Sequence, residues 1–92
     1  MTASALRRLR VQLQAAEAKV TATSERRRLL PVGSSRARVT TANARYATAC
    51  EARDRALAAV EEAEAVDAAA RDFWSLVADA EASTDARKEV VR

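Results

Sequence analysis

A chain of 92 residues holds one domain at most. One glycine, one proline and no histidine exclude folds that need turn residues at short intervals, such as β-sandwiches and α/β sheets. The same composition excludes Ser-His and Cys-His nucleophiles and histidine-held metals.

The net charge of +3 conceals a division. Residues 1–45 carry ten Lys/Arg against Glu17 and Glu25, a balance of +8, and residues 46–92 carry six against eleven Asp/Glu, a balance of −5. Such a split predicts complementary halves or a basic contact surface. Alanine, glutamate and arginine dominate and are strong helix formers, so the predicted class is all-α.

The first helix is predicted over about residues 3–29, with Thr2 or Ser4 able to cap its free N–H groups. Its apolar stripe is Leu6, Leu9, Leu13, Ala16, Val20, Thr23 and Leu30, mostly at alternating spacings of three and four, the seam of a coiled coil. The stripe weakens after Val20. Thr21, Thr23 and Ser24 are poorer helix formers, and Arg27 falls at a core-type position. Pro31 disfavours helical geometry at Leu30, so the helix should stop at Arg28 or Leu29. Leu30-Pro31-Val32-Gly33-Ser34 then forms the turn.

The second helix is predicted over about residues 35–82, capped by Ser34 or Ser35, with no glycine or proline after it. Glu51–Arg55 and Asp67–Arg71 are i,i+4 pairs in the favourable order. The stripe runs from Val39 through Ala42, Tyr46, Ala49, Ala52, Ala56, Ala59, Ala63, Val66, Ala70, Phe73 and Val77 to Ala80, with one slip near Ala49–Ala52. Ser83-Thr84-Asp85 predicts the end of the helix and a short C-terminal segment, 83–92.

At 1.5 Å per residue the two helices would be about 39 Å and about 70 Å long. Folded back across a short turn, the first should reach only to about residue 62, with Arg7, Arg8 and Arg10 near Arg53–Glu62. The predicted fold is therefore a long antiparallel two-helix hairpin, coiled-coil-like, whose second helix overhangs the first. Val66, Phe73, Trp74 and Val77 form a candidate association face on the overhang. Phe73 and Trp74 should point about 100° apart and define a wide apolar face, of the kind that marks interfaces. The alternative is a break near 64–68 and a three-helix bundle, although Glu64-Ala65-Val66-Asp67-Ala68 holds no turn chemistry.

Arg26, Arg27, Arg28, Arg36 and Arg38 flank the turn and form a candidate anion- or partner-binding tip. Arg36 and Arg38 open a helix whose N–H groups point outward, a favourable place for a phosphate or carboxylate. Against this, arginine is the default polar residue of a chain with fourteen arginines and two lysines. No aromatic near the tip could stack a base. Cys50, alone, reads as a small buried or half-buried helix residue. Glu61, Glu64 and Asp67 read as a solvated acidic face.

No catalytic residues, metal or cofactor are expected, and no enzyme. No run approaches the ~20 apolar residues of a membrane span, and no signal peptide is visible, which predicts a cytoplasmic chain or one built into an intracellular particle. The Ala/Arg/Val-rich, lysine-poor composition suggests a high-GC genome, and small helical chains of this type are frequent among bacteriophage products. The expected function is structural, assembly or adaptor, by homo-oligomerisation or docking on a larger protein. The alternatives are a nucleic-acid- or anion-binding regulator acting through the arginine tip, which would equally suit an acidic protein surface, and a small inhibitor docking on a host or regulatory enzyme.

Overall fold

The computed structural model describes residues 3–91, with side chains described for residues 3–84. Two helices account for it: α1, Ala3–Arg28, and α2, Arg36–Val91. The protein is an all-α helical hairpin, and the described residues contain no strand. It is a rod of 88 × 17 × 15 Å with a radius of gyration of 24.2 Å, about twice the ~12 Å of a compact chain this long.

α1 ends where Pro31 requires. The Leu29 amide still donates to the Glu25 carbonyl at 2.9 Å, and the chain then leaves the helix. Thr21 and Thr23 do not interrupt α1. Their hydroxyls donate to the carbonyls of Glu17 (3.2 Å) and Lys19 (2.8 Å), four residues back, so the competing polar groups are satisfied inside the helix.

Pro31, Val32, Gly33 and Ser34 close a β-turn, the Ser34 amide donating to the Pro31 carbonyl at 3.1 Å. Gly33 has φ +87°, and no other described residue has a positive φ. A left-handed residue at the third position of a turn is the mark of type II, which glycine fills without strain. Ser35 then caps α2. Its Oγ accepts the Arg38 amide at 3.2 Å and its carbonyl accepts the Val39 amide at 3.1 Å, the geometry of an N-cap.

α2 is continuous through 64–68, so the three-helix bundle does not form. It also continues past the predicted end at 82, to Val91. Ser83-Thr84 is not a cap, because the Thr84 hydroxyl donates back to the Ala80 carbonyl at 3.0 Å. The predicted short segment 83–92 is thus helical as far as Val91, and residue 92 lies outside the described residues.

The seam between the helices is thin. The predicted stripe is half-buried throughout, at Leu6, Leu9, Leu13, Ala16, Val20 and Thr23 on α1 and at Leu30 just past its end, and Ala5 joins it. On α2 the inward line is Ala42, Tyr46, Ala49, Arg53, Ala56, Val60, Ala63 and Asp67, spaced four and three without a slip. Ala49, Val60 and Ala63 are its buried members, Ala63 only 1% exposed. The predicted slip near Ala49–Ala52 is therefore absent. Ala52 and Ala59 flank the seam, and the expected line strayed onto them because alanine occupies both tracks.

Two cross-helix contacts fix the register. The Arg27 guanidinium lies 4.5 Å from the centre of the Tyr46 ring, and Arg10 pairs with Glu64 at 3.2 Å. Stepping back 17 residues on α1 advances 18 on α2, so Ala3 comes opposite about residue 71. The expected reach to about residue 62 falls short by more than two turns. The reason is the connection. Residues 29–35 run back beside the first turns of α2 instead of joining the helices end to end, and Leu30 is half-buried there.

Candidate functional site

The rod carries two features beyond its own seam, one near each end. At the tip, the connection and the start of α2 enclose a groove of about 530 Å³. Leu29, Leu30, Pro31 and Ala42 give it apolar walls, and Arg26, Arg38 and Arg45 stand around it. Arg38 and Arg45 are seven residues apart and so share one face of α2, and Arg26 comes from α1. No acidic residue lines the groove, and none of the three arginines makes an ion pair with a described residue.

The five arginines predicted for the tip do meet at one end of the hairpin, but not on one surface. Arg26 and Arg38 belong to the groove just described. Arg27 and Arg28 line a second hollow, with Ser24 and Asn43, on the other side of the connection. Arg36 lines neither. Arg27 is engaged with the Tyr46 ring, an interaction worth about 0.5–1 kcal/mol at an exposed site. Arg28 leans on Glu25 at 3.4 Å. Arg45 was not among the predicted residues. Its signal is the seven-residue spacing from Arg38, legible only once α2 is known to run beyond the end of α1.

At the other end α2 extends alone. From about residue 72 to Val91 nothing from α1 lies beside it, a length of about 30 Å. Phe73 is 58% exposed, Trp74 66% and Leu76 69%. The Phe73 and Trp74 rings do not splay into two faces. They meet edge to face, centroids 5.5 Å apart at 76°, the arrangement aromatic quadrupoles favour. Trp74 and half-buried Val77 continue the three-four line of the seam beyond Asp67. Phe73 flanks that line. Val66, predicted for the same face, lies instead within the length covered by α1, on its outer flank, and is 50% exposed. Leu76 widens the patch.

The charges follow the helices. Asp67 holds Arg71 at 3.0 Å as predicted, and Glu64 is taken by Arg10. Arg53 occupies a seam position but turns its head outward to Asp54, whose Oδ1 accepts from Nη2 at 3.0 Å and Nε at 3.2 Å. That hydrogen bond raises the already high Arg53 pKa. Among the described residues no three His, Cys, Asp or Glu side chains are grouped to hold a metal ion, and no helix is long and apolar enough to cross a membrane. Comparisons with protein families, curated proteins and solved structures find no match to this chain.

Proposed function

We propose that this protein is a non-enzymatic structural, assembly or adaptor component that works by associating through the free end of α2. The supporting observation is the aromatic patch of Phe73 and Trp74, with Leu76 beside it, on a helix that has outrun its partner. A lone helix gains little from its own propensity and depends on packing an apolar face. An exposed aromatic pair on such a helix is best accounted for by a surface that covers it.

Size-exclusion chromatography with light scattering tests the reading. The wild-type chain should elute as an assembly or as a complex with its protein partner. Phe73→Asp should dissociate it, and Trp74→Ala should weaken it, with only a partial fall in far-UV helicity. An assembly that survives both substitutions unchanged removes this face from the function.

A second reading rests on a different observation, the three unpaired arginines of the tip groove. It assigns the protein to binding a phosphate-bearing ligand such as nucleic acid, with affinity falling steeply as salt rises. Replacing Arg26, Arg38 and Arg45 by glutamine should then abolish binding to duplex DNA in an anisotropy titration. Equal binding by that variant discards the reading.

A further inference from the structure

The two ends of the rod are chemically complementary. The tip groove has apolar walls, three arginines around them and no carboxylate. Over residues 72–84 the free part of α2 carries Phe73, Trp74, Leu76 and Val77 with Asp72, Asp79 and Glu81 and no basic residue, Arg87 and Lys88 following further along the chain. Helical spacing places Asp72 and Asp79 one turn from Leu76, bordering the patch on one edge, while Glu81, seven residues from Trp74, borders the other. Each end thus presents an apolar centre with a charged border, and the borders are of opposite sign.

We infer that the free end of α2 from one copy docks in the arginine-bordered tip groove of a second copy, head to tail. The inference rests on the association reading above and supplies its partner surface. Like-on-like pairing of two 72–84 segments would set six carboxylates around one apolar contact with no base inside those segments to offset them, which costs free energy. Head-to-tail docking sets three carboxylates against three arginines and covers the aromatic pair with Leu29, Leu30 and Pro31. The docked helix lies against both α1 and α2 of the receiving copy, restoring at the joint the neighbour that α2 lacks past residue 71. The contact is heterologous, so it propagates into a ring or an open filament instead of stopping at two copies.

Two charge-reversed variants test this: a tip variant, Arg26→Glu with Arg38→Glu and Arg45→Glu, and an end variant, Asp72→Lys with Asp79→Lys and Glu81→Lys. Each keeps one half of the joint. Each alone should self-associate about tenfold or more weakly than wild type. In an equimolar mixture the wild-type end meets the wild-type tip and the reversed end meets the reversed tip, so alternating assembly should be restored, seen by light scattering and by a blue shift in emission from Trp74, the only tryptophan. Wild-type association should weaken as salt rises.

A glutamate near the end of α1 opposes the helix dipole, so the glutamine triple at the same tip positions, checked for helicity, guards against a folding defect. If the tip variants associate like wild type while Phe73→Asp does not, the head-to-tail inference is overturned and the association reading stands. Association that strengthens with salt overturns it in the same way, because it signals acidic ends meeting. A wild-type chain that stays monomeric at every concentration and salt overturns the inference and the self-association on which it rests.

Discussion

Gly33 shows how much one residue decides. A Cβ built there would meet nothing within 4 Å, so space is not what excludes a side chain. The constraint is the backbone itself, at φ +87°. Left-handed geometry costs an L-residue roughly 1–2 kcal/mol. Gly33→Ala should therefore lower the thermal midpoint with no change in far-UV spectrum, and Gly33→Asn, which tolerates this region better, should lower it less. Equal midpoints for all three would mean that the turn relaxes to another form. Arg53 is the converse case. It sits on the seam with its charge turned out to Asp54, leaving only its stem to pack. Arg53→Leu should raise stability by about 1 kcal/mol through added apolar burial, read as a higher midpoint by circular dichroism. A lower midpoint would show that the outward pair matters more than the seam.

Between elements, legibility followed the size of the side chains. The α1 stripe could be read residue by residue because Leu6, Leu9, Leu13 and Val20 are large and stand apart from their neighbours. The α2 seam could be read only in part, since alanine fits two adjacent tracks equally: Ala42, Tyr46, Ala49, Ala56 and Ala63 are on the seam, but Ala52, Ala59 and Val66 stand one residue from its true members Arg53, Val60 and Asp67. Only the packed helices separate them, through buried Val60 and the intrusion of Arg53 and Asp67. Ser83-Thr84-Asp85 misled for a related reason: the same hydroxyl that caps a helix can return to the carbonyl four residues back. An alanine seam brings the helix axes close, and this has a testable cost. Ala63→Leu, at a position 1% exposed, should overpack the seam and destabilise it by about 1–3 kcal/mol, whereas Ala65→Leu on the exposed face should be nearly neutral. Similar denaturation midpoints for the two would argue that the helices are not in tight contact at Ala63.

The shape of the whole molecule turns on the short connection. Had residues 29–35 joined the helices end to end, α1 would have stopped near residue 62, as its length alone suggested. Laid back beside α2, they shift the register by more than two turns, build the arginine-bordered groove and still leave about twenty residues of α2 uncovered. The basic tip and the aromatic patch were both legible as local clusters. Arg45, and the division of the tip arginines between two faces, were not, because they depend on that register. The register separates the rod into a paired body and a free end, and the two should behave independently. A chain ending after Arg71 keeps the length of α2 that runs beside α1, with Arg27 on Tyr46 and Arg10 with Glu64. It should unfold with nearly the midpoint of the full-length protein measured under dissociating conditions. It should also show no concentration-dependent association, since the helix that would reach a second copy is gone. A truncated chain that loses its cooperative transition would mean that the free end stabilises the hairpin from within, and residues 72–91 would then belong to the fold and not to the contact between molecules.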